Sequence, residues 1–108
     1  AVEKGCEGVE PDNVDGWQND HGCPSLTPED QLVYNKALAA AAHKRGLFIG
    51  LKNDVDQIAE LEPYFDFAVN EECFGWNECD MNQPFLDADK AVLSCEYYGS
   101  MQEFCPQA

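Results

Sequence analysis

Four short apolar runs punctuate the chain, and each opens into a cluster of polar and charged residues. The first spans Gly5 to Glu10. Pro11 bars a helix through it and holds Glu10 extended, so it reads as a short buried strand. Its carboxyl end releases Glu10, Asp12 and Asp15 into a loop. Leu47-Phe48-Ile49-Gly50-Leu51 is too short for a helix and does not alternate, the pattern of a strand covered on both faces. It ends in Lys52-Asn53-Asp54. Phe65 to Val69 leads into Asn70-Glu71-Glu72, and Ala91 to Cys95 leads into Glu96-Tyr97-Tyr98.

Helical signals fill the intervals. Thr27 is an N-cap, with Pro28 at the first helical position and Asp30 three residues after the cap. This helix is expected to run to about Arg45, presenting Tyr34, Leu38, Ala41 and Ala42 at helical spacing, and Gly46 stops it. Asp54 is expected to cap a second helix, with Gln57 completing a capping box and Pro63 ending it. A cysteine-bounded loop, Cys73 to Cys79, leads into a short helix near Met81 to Ala88. Asn19 to Pro24 reads as a turn, and Met101 to Ala108 as loop.

Strands separated by helices run parallel, because each crossover returns the chain to the same end of the sheet. The fold class is therefore α/β, with four strands and three intervening helices. All four carboxyl ends then share one rim, which receives Glu10, Asp12, Asp15, Lys52, Asp54, Glu71, Glu72 and Glu96. Parallel α/β folds bind their ligands at that rim.

Composition narrows the partners. At 108 residues with 44% hydrophobic content, the chain is one domain at most. A net charge of −15 opposes nucleic acid and anionic membrane surfaces, which demand basic patches. It favours a cationic partner. No apolar run approaches the ~20 residues of a membrane helix. The chain shows no signal peptide at Ala1, the expectation for a mature, cytosolic or internal segment. Six cysteines, none in a Cys-x-x-Cys pair, point to an oxidised, secreted protein. Cys73 and Cys79 are close enough to bridge a small loop; the remaining connectivity is open. Asp12, Asn13, Asp15, Asn19 and Asp20 supply oxygen ligands for calcium, yet Pro11 falls where an EF-hand needs its first ligand. His21 and His43 have no cysteine or serine partner at motif spacing, and a hydrolase triad is not expected.

Lys4 to Gly16, Gly50 to Asp54 and Asn70 to Phe74 resemble glycoside hydrolase family 114. Leu26-Thr27, Asp30-Gln31-Leu32, Tyr34-Asn35 and Lys90-Ala91-Val92 share in the likeness, which runs nearly the whole chain. Family members are secreted endo-α-1,4-polygalactosaminidases on a TIM (β/α)8 barrel. The resemblance implies that Asp12 and Glu71 are the catalytic pair, and that Glu10, Asp15, Lys52, Asn53, Asp54 and Glu96 line the subsites. It also implies that residues 1–108 form about half a barrel, a partial domain whose other units lie outside the chain.

Glycoside hydrolysis needs two carboxyl groups flanking the bond. Asp12, on a Pro-fixed loop, suits a nucleophile. Glu71, near Phe67, Val69, Phe74 and Trp76, is expected to have a raised pKa and to act as acid/base in a retaining mechanism. Free amino sugars carry ammonium groups, so a cationic galactosamine-rich polysaccharide fits the charge. Trp17, Trp76, Tyr97 and Tyr98 adjoin the rim and are placed to stack on sugar faces. No metal or cofactor is expected. Val9, Ile49, Leu51, Ala68, Val69, Val92 and Leu93 are expected to share an unfilled interior, covered by the missing barrel half or in a homo-oligomer. The rival reading is a truncated, non-catalytic secreted protein that binds cationic polysaccharide through its acidic rim.

Overall fold

Thr27 and Asp30 start the first long helix by reciprocal capping. The Thr27 hydroxyl accepts from the Asp30 N–H at 3.1 Å, and the Asp30 carboxylate accepts from the Thr27 N–H at 3.1 Å. Pro28 then occupies the first turn, where no N–H is needed. Helix α1 (Pro28–His43) follows in the computed structural model, which describes residues 1–20, 22 and 24–108. His21 and Cys23, with the turn and the cysteine pairing assigned to them, lie outside the described residues.

The buried stripe of α1 is Gln31, Asn35, Ala39 and Ala42; of the expected face, Ala42 is buried and Leu38 packs against the core, while Tyr34 and Ala41 face outward. Two amides hold this apolar face because both are satisfied there. Gln31 donates to Asn35 at 2.9 Å, and Asn35 donates to the Val14 carbonyl at 2.9 Å and to Asp54 at 3.0 Å.

Four strands form one parallel sheet in the order β1-β2-β3-β4: β1 (Gly8–Val9), β2 (Phe48–Lys52), β3 (Phe67–Glu71) and β4 (Val92–Cys95). The alternation of strands and helices predicts this parallel sheet, and its half-barrel form is the one the family resemblance implies. The first strand is shorter than expected, because Gly5 closes the 3-10 turn Val2–Lys4 in the left-handed region, φ 76°. The third begins two residues late. Phe65 closes the 3-10 turn Glu62–Tyr64 through its N–H, and the Asp66 carboxylate accepts the Ile49 N–H at 2.8 Å. The shift carries Asn70 and Glu71 into the strand itself. At the same end of the sheet, away from the rim, His43 pairs with Asp66 at 2.8 Å.

The second and third crossovers are broken helices. After β2 come a 3-10 turn (Val55–Gln57), α2 (Ile58–Leu61) and the turn Glu62–Tyr64. Asp54 does not cap this crossover: it sits at a left-handed φ of 51° with no cap bond, and its carboxylate is engaged elsewhere. The cysteine-bounded loop contains α3 (Cys73–Trp76), closed by a Cys73–Cys79 disulfide. The turn Cys79–Asn82 and α4 (Gln83–Asp87) lead to β4. The tail expected as loop carries α5 (Met101–Phe104), started by a Ser100–Glu103 capping box and held by Phe104 stacking on Phe74 at 5.3 Å.

Strand alternation divides the apolar residues between two faces. Ile49, Leu51 and Ala68 are buried with Ala39, Ala42, Ile58, Leu61, Phe65 and Phe85, and Val9 and Val92 pack at the margin of this cluster. Each fully buried large side chain there contributes about 1.5–3 kcal/mol. These strand residues are therefore not in an unfilled interior, as the undivided apolar runs suggested. The opposite face carries Phe48, Gly50, Phe67, Val69 and Leu93, and there Phe48 and Leu93 are 62% and 56% exposed. Gly50 leaves room for the Phe67 ring on that face. A Cβ at this position would lie 2.3 Å from the Phe67 ring.

Candidate active site

The residue after each strand decides the geometry of the rim. Lys52 ends β2 on the open face and is 8% exposed, yet its ammonium is engaged by two carboxylates. It lies 3.3 Å from Asp12 Oδ1 and 3.1 Å from Glu71 Oε2. Burial works against the charged form, but hydrogen bonds to Glu71 and Asp12 outweigh it, so the Lys52 pKa is raised. One cation thus draws together the loop after β1 and the end of β3.

Asn53 follows in the left-handed region, φ 53°, a conformation asparagine tolerates better than most residues. From there its amide donates to Glu71 Oε2 at 3.1 Å and its carbonyl oxygen accepts the Glu71 N–H at 2.8 Å. Tyr97, just beyond β4, donates its hydroxyl to Glu71 Oε1. The Tyr97 hydroxyl, the Asn53 amide and the Lys52 ammonium hold the Glu71 pKa down to about 2. This reverses the expectation of a raised value. The apolar neighbours do not govern it: Trp76 is 69% exposed, and three donors converge on the carboxylate instead. Glu10, on the same side, is pushed upward by burial, with Lys52 opposing and Asp12 and Glu71 reinforcing.

A cleft of about 450 Å³ opens beside Glu71. Asp15, Asn19, Asn53, Glu71, Glu72, Trp76 and Glu78 line it, and Asp54 forms part of its floor. The structure therefore brings Asp12, Asp15, Lys52, Asn53, Glu71 and Trp76 to one region. Asp54 and Trp17 are drawn to each other. The indole N–H of Trp17 donates to Asp54 Oδ1 at 3.0 Å, and Asn35 donates to Oδ2. Burial, with Asp15 and Asp56 nearby, pushes Asp54 to about 6 against these two bonds. Both side chains brace the loop beneath the cleft. Glu96 turns away from the cleft, accepting from the Phe74 N–H at 3.1 Å beside a cavity that Phe104 also lines.

Sequence reasoning missed Glu78, whose pKa burial raises, because it sits in a segment read only as a disulfide loop. It also missed Asn35. The available signal was the pair of amides at Gln31 and Asn35, one helical turn apart on the face that carries Ala39 and Ala42.

Residues 1–108 match the model of glycoside-hydrolase family GH114. No curated protein matches the chain. Among solved structures, the crystal structure of Aspergillus fumigatus Ega3 in complex with galactosamine is similar, with a TM-score of 0.84 and 45% sequence identity. The likeness covers 88% of this chain and 38% of that one, so the chain spans well under half the length of that relative.

Proposed function

The chain belongs to glycoside-hydrolase family GH114, and from that premise we propose that it supplies the catalytic rim of an enzyme cleaving galactosamine-rich polysaccharide. The relative in complex with galactosamine supports an amino sugar as the recognised unit. The observation that carries the reading is the Lys52 bridge. Its lengths of 3.3 and 3.1 Å together cap the distance between Asp12 Oδ1 and Glu71 Oε2 at about 6.4 Å. Retaining pairs stand about 5–5.5 Å apart and inverting pairs about 6.5–9.5 Å, so the bridge favours retention.

In this reading Asp12 attacks the anomeric carbon and Glu71 protonates the departing oxygen, then removes a proton from the incoming water. Held as a carboxylate, Glu71 rests in the form the second step requires. Lys52 keeps two carboxylates close that would otherwise repel. The cleft beside Glu71 takes neighbouring sugar units: Asp15, Glu72 and Glu78 meet their ammonium groups, and the exposed face of Trp76 stacks on a ring. The Cys73–Cys79 disulfide supports action outside the cell. Turnover of α-1,4-linked galactosamine oligomers by the intact protein, lost in Asp12→Asn and in Glu71→Gln, tests this assignment. Full activity in either variant would remove it.

A further inference from the structure

The two oxygens of Glu71 keep unequal company. Oε2 accepts from both the Lys52 ammonium and the Asn53 amide, each at 3.1 Å. Asn53 is itself fastened to the Glu71 backbone, so this side of the carboxylate is locked. An oxygen already accepting two donors, one of them an ammonium, has no lone pair left for a proton. Any proton that Glu71 takes up or delivers passes through Oε1. There the partner is the Tyr97 hydroxyl, on a side chain that is 59% exposed.

We propose that Tyr97 is a positioning residue that parks Glu71 in its base form and vacates Oε1 when a glycosidic oxygen enters the site. The proposal rests on the acid/base assignment of Glu71 made above. With the hydroxyl withdrawn, Oε1 takes a proton from solvent. That proton passes to the glycosidic oxygen as its bond to the anomeric carbon breaks and Asp12 bonds to that carbon. Water then displaces Asp12, and the proton it gives up returns to Oε1. The charged and titratable groups bearing on Glu71 are Lys52 from β2, Glu10 and Asp12 from the loop after β1, and Tyr97 from just beyond β4, where Cys95 in turn bears on Tyr97. Lys52 and Tyr97 oppose protonation; Glu10 and Asp12 favour it. Lys52 is buried and bound to two carboxylates, which leaves Tyr97 as the contact that a substrate can displace.

The test is a carbon-13 NMR titration of the intact protein labelled at glutamate carboxyls, with the Glu71 signal identified by its loss in Glu71→Gln. Tyr97→Phe is expected to raise the Glu71 midpoint by about one pH unit. The basic limb of kcat/KM should move the same way, while KM changes less than about twofold. A second measurement does not depend on that variant folding. The Tyr97 hydroxyl is pushed up to about 12 by its bond to Glu71, so Glu71→Gln should bring it back toward 10. An unmoved Glu71 midpoint in Tyr97→Phe, or an unmoved tyrosine titration in Glu71→Gln, overturns the role of Tyr97. Full turnover by Glu71→Gln would overturn the acid/base assignment and this proposal together. An unmoved midpoint beside an inactive Glu71→Gln overturns the Tyr97 role alone.

Discussion

Lys52 holds the end of its own strand against the next one, its ammonium 3.1 Å from the Glu71 carboxylate. Removing that charge leaves Glu71 and Asp12 facing each other without a cation. Lys52→Met is expected to raise the Glu71 pKa and to lower kcat/KM by about 10²–10³, the usual loss when one preorganised electrostatic partner is deleted. Lys52→Arg should restore little, since a planar fork cannot take the place of a compact ammonium between two carboxylates. Steady-state kinetics across pH on the three proteins decides this. An unchanged profile in Lys52→Met would show that the bridge has no part in catalysis.

Asp54 predicts a specific dependence of stability on pH. Its folded pKa of about 6 lies above the ordinary 3.8, so the fold prefers the protonated acid. Its contribution is fully present below pH 3.8 and is lost as pH rises through about 6. Asp54→Asn should flatten the melting temperature over that window. Asp54→Ala should cost about 1–3 kcal/mol at any pH by stranding the Trp17 and Asn35 donors. Thermal melts from pH 4 to 7 read both effects. Glu71 works in the opposite sense: its depressed pKa of about 2 stabilises above pH 4.5 and is lost as pH falls through 2.

The Cys73–Cys79 bridge closes a seven-residue loop that carries Trp76 and Glu78 into the cleft. Replacing both cysteines by serine is expected to cost about 2 kcal/mol through the freed loop. KM should rise more than kcat falls if, as proposed, the loop meets neighbouring sugars and not the reacting bond. Denaturant melts and kinetics on the double variant separate the two.

The face carrying Phe48 and Leu93 is apolar and open. Residues 1–108 produced alone should self-associate at micromolar concentration, each copy covering the other's exposed strands. Sedimentation tests this. A cooperative 12.0 kDa monomer would contradict it.

The order and direction of the strands were legible because each apolar run is bounded by its own turn or cap, and Thr27, Pro28 and Gly46 punctuate α1 unambiguously. The rim was legible for the same reason: a parallel sheet sends all its carboxyl ends one way. What pattern reading missed depended on contacts between distant segments. Asp54 looked like an N-cap, yet it is recruited by Trp17, 37 residues earlier, and by Asn35. Glu71 looked apolar in its surroundings along the chain, while its true neighbours come from the ends of β2 and β4. Apolar runs without alternation also hid which residues faced the helices, so Ile49 and Leu51 could be separated from Phe48 only by the register of the sheet.

Retention by the Asp12–Glu71 pair is the claim on which the other arguments converge, and the configuration of the first product tests it most directly. Proton NMR of the intact protein acting on an α-1,4-linked galactosamine oligomer should show the α-anomer of the new reducing end before mutarotation, and no product from Asp12→Asn. Initial release of the β-anomer would contradict the account, as would cleavage by Asp12→Asn at the rate of the unmodified protein.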